Sequence, residues 1–199
     1  MPGLAKEIVS SVRAAYSAQT TLDIKGAGTK SFLGRQPYDA QPLSTCGHKG
    51  IIEYDAAELV LVARAGTPLK EIEELLGENR QMLGFEPPFI DEGATLGGAV
   101  AAGLAGPRRA YSGGVRDFIL GATFVNGKGE TVTAGGKVMK NVAGFDLFRP
   151  MAGSMGTLGV LLKVSLRILP VPELERTLLH EEKDERQALK KMNRWPYET

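Results

Sequence analysis

Thr21-Leu22-Asp23-Ile24-Lys25-Gly26-Ala27-Gly28-Thr29-Lys30-Ser31 is a short strand, Thr21 to Lys25, that runs straight into a glycine loop. Two glycines spaced by one residue let successive backbone N–H groups turn toward one point and form a nest for an anion. Thr29 and Ser31 add hydroxyl donors, and Lys25 and Lys30 add positive charge. A charge-assisted bond from such a loop to a phosphate is worth about 1.5–3 kcal/mol. Two other nucleotide loops are excluded. The P-loop pattern G-x-x-x-x-G-K-[ST] occurs nowhere. A Rossmann fingerprint needs a third glycine opening a long helix, but position 31 is serine and Gly34 comes too late. An ordinary strand-to-loop turn stays open as the alternative.

Outward from this loop, the N-terminal side reads as a helix over Pro2 to Gln19, with Leu4, Ile8, Val12 and Tyr16 at i+4 intervals. On the C-terminal side, Leu43 to Tyr54 holds one or two weak strands around a Gly47–Gly50 turn. Asp55 to Glu58 is suited to a brief capped turn, and Leu59 to Ala65 is an apolar strand. Thr67 is placed to cap a helix whose first residue is Pro68. Leu69, Ile72, Leu75 and Leu76 form its buried stripe, and Gly77 is expected to end it. Strand, helix and strand in this order favour a small sheet with parallel pairing.

The remainder is patterned differently. Thr95 to Leu104 reads as a tightly packed helix opening at a Gly-Gly step. Phe118 to Val125 and Glu130 to Ala134 flank Asn126-Gly127-Lys128-Gly129, a hairpin turn signal. Gly159 to Leu169 alternates, placing Val160, Leu162, Val164, Leu166 and Ile168 on one face, and Glu173 to His180 is a candidate antiparallel partner. Asp184 to Asn193 is a polar helix. The class is therefore α+β: a small parallel-type N-terminal lobe and a larger antiparallel lobe.

Three further segments are rich in small residues. Gly93-Ala94-Thr95-Leu96-Gly97-Gly98-Ala99, leading to Gly103, would let an extended ligand lie on backbone, and a helix N-terminus favours negative charge. Close helix–sheet packing explains the same residues equally simply. Gly113-Gly114-Val115-Arg116-Asp117 offers backbone donors at a strand entry. Lys140 to Leu147, followed by Gly153-Ser154-Met155-Gly156-Thr157-Leu158-Gly159-Val160, is another loop shaped around something.

Composition sets the limits. Twenty-four basic residues face 23 acidic ones, so the net charge of +1 gives no long-range pull toward nucleic acid or a membrane. There is no run of about 18 apolar residues, so direct membrane insertion is not expected, and the N-terminus has no signal-peptide core. Glycine is the excess, 25 of 199 residues against a usual share of roughly 7%. Protein groups for catalysis are few. His48 and His180 are the only histidines, and Cys46 the only cysteine. Cys46 and His48 are too sparse for a metal site, no GxSxG or HExxH occurs, and no catalytic residue can be named. Arg108-Arg109 could reach an anionic substrate or stand in solvent. Trp195, Pro196 and Tyr197 are apolar enough to dock on a neighbour.

Taken in order, these motifs resemble the FAD-binding domain (PCMH type) shared by vanillyl-alcohol oxidase-type and glycolate oxidase-type flavoproteins. That family shows a loop like R-G-x-G-T-S, an x-T-x-G-G helix start, a V-R-D-x-[VIL]-L-G strand and G-S-E-G-T-L-G-[IV]. Lys25 to Thr29, Ala94 to Gly98, Val115 to Asp117 and Gly153 to Val160 match in that order. Lys140 to Leu147 is similar to the K-N-V-A-G-Y-D-L of glycolate oxidase FAD-binding subunits. The resemblance spans roughly residues 20 to 170. The departures are Lys25 for the usual Arg, Lys30 for a small residue, and Met155 for the common Glu.

The resemblance implies FAD as cofactor and a cofactor-binding set of Lys25, Gly26, Ala27, Gly28, Thr29, Lys30, Gly93, Thr95, Leu96, Gly97, Gly98, Gly103, Gly113, Val115, Gly156 and Val160. Within it, Gly26 to Thr29 would hold the pyrophosphate. Thr95, Gly97 and Gly98 would lie beside the pyrophosphate and flavin, and the Val160 backbone would meet the adenine or ribitol region. It implies a domain over residues 1–172, split at about residue 90 into two lobes, then a C-terminal extension over 173–199 with the substrate-binding cap domain absent or truncated. The implied function is an FAD-dependent 2-hydroxy-acid oxidoreductase subunit. It would act in glycolate metabolism beside other glycolate oxidase-type subunits, flavin and iron–sulfur, in the cytoplasm, reaching the membrane only through partners. Self-association into a homo-oligomer stays open. Two alternatives are a self-contained flavin reductase and an assembly subunit whose flavin site has lapsed. The flavin reading requires Gly26–Thr29 and the Thr95–Gly98 helix start to face one cleft.

Overall fold

A computed structural model describes residues 3–35, 37–88, 93–137, 146–177, 179, 181–182 and 184–194. In chain order these form α1 (Gly3–Ala18), β1 (Thr21–Lys25), β2 (Ala40–Ser44), β3 (Ile51–Asp55), β4 (Val60–Arg64), α2 (Leu69–Glu78) and β5 (Gln81–Met82). They continue with α3 (Leu96–Ala102), α4 (Arg109–Ser112), α5 (Val115–Phe118), β6 (Ile119–Val125), β7 (Thr131–Gly135), a 3-10 turn (Arg149–Met151), β8 (Val160–Arg167), β9 (Leu169–Pro170) and α6 (Glu185–Met192). Lys140 to Phe145, His180 and Trp195 to Tyr197 lie outside the described residues.

The α+β expectation holds. β1 and β2 form a small parallel pair, Thr21 opposite Ala40 through Lys25 opposite Ser44. The larger sheet has the order β3-β4-β8-β6-β7, and its neighbours run antiparallel. β8 is its central strand, so residues on both of its faces are buried. The main core joins Leu61 and Ala63 of β4, Leu69, Ile72 and Leu76 of α2, Leu96 and Val100 of α3, and Val164 and Leu166 of β8. A second cluster seats Ile8 and Val12 of α1 on Leu43, Val125, Val160 and Leu162. Each fully buried Leu or Ile is worth about 1.5–3 kcal/mol relative to exposure, so both clusters hold the framework around the loops.

Four local expectations change, three of them because of a tertiary partner. Thr67 does not cap α2: its buried hydroxyl accepts from Gly50 N–H at 2.9 Å, and Pro68 takes the cap position. The Leu69 N–H instead donates to the Ala94 carbonyl at 2.8 Å. The helix runs past Gly77 to Glu78, with Asn79 at its C-cap. The β8 alternation breaks at Leu162, where the register shifts between Thr123 and Phe124. Val160 and Leu162 therefore pack toward α1, while Val164, Leu166 and Ile168 join the main core. Glu173 to Thr177 forms no strand. β8 already has β4 on one edge and β6 on the other, which leaves no free ladder. Beyond it, β9 pairs with β5.

The helix over Leu96–Ala102 is bounded as its residues suggest. Thr95 Oγ1 accepts from Gly98 N–H at 3.3 Å, and Gly103 closes it at φ +66°. Asp184 caps α6 by accepting from Arg186 N–H. Asp55 Oδ1 accepts from Ala57 and Glu58 N–H, which makes the foreseen turn.

Candidate functional site

The end of β1 and the loop after it face α3 across a cavity of about 660 Å³. One wall is Thr21 to Ser31 with Leu33, Gly34, Arg35 and Pro37. The other is Thr95, Gly98, Ala101 and Ala102 of α3, with Met155, Gly156 and Thr157 at one end. The loop and the helix start touch: a Cβ on Gly26 would fall 2.2 Å from Thr95 Oγ1. Only a glycine permits that approach.

The loop is shaped by turns of its own. Ser31 N–H donates to the Gly28 carbonyl and Leu33 N–H to the Lys30 carbonyl, at 3.1 and 3.0 Å. Gly28 sits at φ +74°, and a Cβ there would meet nothing within 4 Å. The N–H groups of Ala27, Gly28, Thr29 and Lys30 donate to no backbone partner among the described residues. Four such donors in a row beside open space are what an anion requires, since unpaired N–H groups must otherwise be satisfied by water.

The start of α3 is different. Leu96 N–H donates to the Thr67 carbonyl at 2.9 Å and Gly97 N–H to the Ala65 carbonyl at 2.7 Å. Gly98 N–H is held by Thr95 Oγ1. Its small residues give closeness to the cavity wall, while its donors serve the protein.

The structure brings nine of the sixteen proposed cofactor residues to the cavity: Lys25, Gly26, Ala27, Gly28, Thr29, Lys30, Thr95, Gly98 and Gly156. Gly93 lies just behind the loop, its Cβ direction 3.5 Å from Ala27 Cβ. Leu96 and Gly97 are in the packed floor. Gly103 abuts Gly153, Gly113 lies against the Asp117 side chain, and Val115 is in the main core. Val160 lines a neighbouring cavity of about 400 Å³ that shares Thr21, Leu22, Ile24, Gly156 and Thr157 with the larger one. Asp23, Arg35, Ala101, Ala102 and Thr157 also line the larger cavity. Ala101 and Ala102 were legible in principle, being one helical turn beyond Gly98. Arg35 carried no such signal.

Charged groups elsewhere are spent on structure. Arg108 is held by Glu86 at 2.8 Å and by Glu175, and it lines no part of this cavity. The Glu175 carboxylate holds its pKa above the usual arginine value. Asp117 accepts from Gly114 N–H at 2.8 Å. His48 is 7% exposed. Burial first, then the Arg64 charge, pushes its pKa below the usual histidine value. Cys46 is half-buried and free. Among the described residues no group of three or more His, Cys, Asp or Glu could hold a metal, and no helix is long and apolar enough to cross a membrane.

A run of backbone donors without backbone partners among the described residues, a glycine contact and a cavity between the β1 loop and α3 are features suited to a phosphate-bearing ligand. The FAD binding domain family matches residues 1–135, and the chain belongs to that family. Among curated relatives it is 51% identical to glycolate oxidase subunit GlcE of Escherichia coli over 87% of this chain and 49% of that one. It is 29% identical to a D-lactate dehydrogenase of Archaeoglobus fulgidus, over 85% of this chain and 38% of that one. It is also 30% identical to glycolate oxidase subunit GlcD of Bacillus subtilis, over 78% of this chain and 33% of that one. The chain thus spans about half, or less, of the length of these relatives. Its fold is similar to that of alkyldihydroxyacetonephosphate synthase, with a TM-score of 0.66 at 21% identity over 85% of this chain and 31% of that one.

The cofactor of the family is FAD, and the residues present fit it. The cavity leaves the Gly28 side open and, among the described residues, offers N–H donors without backbone partners where a diphosphate would lie.

Proposed function

We propose that this chain is the FAD-holding part of a 2-hydroxy-acid oxidoreductase of the glycolate oxidase type. The observation that carries it is the row of N–H groups from Ala27 to Lys30, without a backbone partner among the described residues, lining one cavity with Thr95 and Gly98. Gly26, Ala27, Gly28 and Thr29 take the diphosphate. Thr95 and Gly98 keep the facing wall low enough for an extended ligand, and Gly97 supports them through the Ala65 carbonyl. Val160 and Gly156 line the continuation toward the smaller cavity. FAD, when bound, supplies the two-electron chemistry; the chain positions it.

The named relatives support the substrate class and the presence of companion subunits. On this reading residues 1–172 form the FAD domain. Residues 173–199 form a C-terminal extension to it, and electrons pass to partner flavin and iron–sulfur subunits in the cytoplasm. The open Gly28 side and the unpaired donors favour a working site over a lapsed one.

Titration with FAD tests this directly. Wild-type protein should acquire a flavin absorbance near that of bound FAD. At about a hundred times the dissociation constant it should gain roughly 2.7 kcal/mol of stability in a thermal melt. Gly28→Asp projects a carboxylate into the open side and should abolish both effects while costing only about 1 kcal/mol through its left-handed backbone. An FAD-insensitive melt of the wild type would refute the assignment.

A further inference from the structure

The described lining of the cavity carries a charge surplus that the whole chain does not. Among the described residues, the charged ones lining it are Lys25, Lys30, Arg35 and Asp23, three cations and one carboxylate, in a protein of net charge +1. These cations are not equivalent. Lys25 Nζ lies 2.5 Å from Asp23 Oδ2, and the two neutralise each other. Lys30 has no ion-pair partner among the described residues, and Arg35 is exposed, where solvent and salt screen it. Lys30 also lines the cavity and belongs to the run of N–H groups that donate to no backbone partner among the described residues, so its peptide and its charge sit on one loop.

We propose that Lys30 is the cation that reads the diphosphate charge and makes the site select FAD over phosphate-free flavin, while Asp23 holds Lys25 out of that role. The inference rests on the reading that this cavity holds FAD. The physical logic is desolvation. Lys30 is half-buried, and burial pushes its pKa below the usual lysine value. An ammonium that has lost water and found no counter-ion gains most from an arriving anion. Lys25 has its counter-ion already, so a diphosphate would have to compete with Asp23 for it.

The test measures FAD and riboflavin affinity by flavin fluorescence for four proteins: wild type, Lys30→Gln, Lys30→Arg, and the double variant Asp23→Asn with Lys25→Gln. The double variant removes the pair without changing net charge. Lys30→Gln should weaken FAD about ten- to a hundredfold, leave riboflavin affinity alone, and flatten the salt dependence of FAD binding. Lys30→Arg should recover most of the loss. The double variant should lose less than about threefold, because it removes no unpaired charge. Melts without FAD should show Lys30→Gln folded as the wild type, since that side chain has no ion-pair partner to lose. If Lys30→Gln binds FAD like the wild type, or the double variant loses as much, this inference fails and the FAD assignment stands. If Lys30→Gln weakens riboflavin as much as FAD, the loss is not one of phosphate recognition and the inference also fails. If wild-type protein takes up no FAD, both fall together.

Discussion

The loop from Gly26 to Lys30 and the helix start from Thr95 to Gly98 look alike as sequence, yet they do opposite work. Both pair a threonine with two glycines. At the helix start every early donor has a protein partner: Thr67 O, Ala65 O and Thr95 Oγ1 take Leu96, Gly97 and Gly98. In the loop the N–H groups of Ala27 to Lys30 have none among the described backbone. The glycine pair of the helix start brings two pieces of protein together; that of the loop leaves donors for something that is not protein. Small residues permit close approach in either case, and what lies opposite decides which outcome follows.

The comparison can be broken from the packing side first. Leu96 is fully buried in the main core. Leu96→Ala should destabilise the fold by about 2–5 kcal/mol in a denaturant melt, through lost burial and the cavity left behind. Its effect on FAD should follow from unfolding alone, with the folded fraction keeping its affinity. Next, Gly97→Ala sets a Cβ 2.7 Å from Ala65 Cβ and 3.0 Å from its carbonyl oxygen. About 1–3 kcal/mol of stability should go as α3 is pushed off β4. Gly28→Asp reverses the pattern, with a stability loss near 1 kcal/mol and loss of FAD binding. If Gly97→Ala spared stability but abolished FAD binding, the division between the two stretches would be wrong.

The smallest expected effect is a pH dependence confined to the packed region. His48 is buried beside Gly66, whose N–H donates to the His48 carbonyl at 2.9 Å. Its folded pKa is depressed, chiefly by burial, below the usual histidine value. The unfolded chain therefore binds the proton first as pH falls. Stability should be full above about pH 6.5 and decline below it, levelling once the folded form also protonates. His48→Gln should remove that slope when melts at pH 7.5 and pH 5 are compared. An unchanged slope would assign the acid sensitivity to other groups.

Much of the frame was legible in the chain. The strand Thr21–Lys25, the hairpin around Asn126–Gly129 and the Thr95-capped helix stand where propensity and turn chemistry put them. These features depend on residues within a few positions of one another. The misread ones depended on distant partners. Thr67 has the right residue type for a helix cap, but Gly50 claims its hydroxyl from across the fold. Glu173 to Thr177 could not add to β8, because β4 and β6 already occupy both edges. Val160 to Ile168 could not stay on one face, because a register shift opposite Leu162 turns the strand. The candidate site divides the same way. The glycine loop announced itself, while Arg35 and Asp23 entered the cavity lining unforeseen.

By itself the sequence determined that this protein has an anion-ready loop after its first strand, a near-neutral surface and a fold of mixed class, since these follow from local backbone freedom and composition. Only the tertiary structure decided which donors remain unspent and which lysine remains unpaired. Hydrogen bonds and ion pairs are settled by what arrives from elsewhere in the chain: Ala65 consumes Gly97, nothing described consumes Ala27 to Lys30, and that difference makes one stretch a floor and the other a grip.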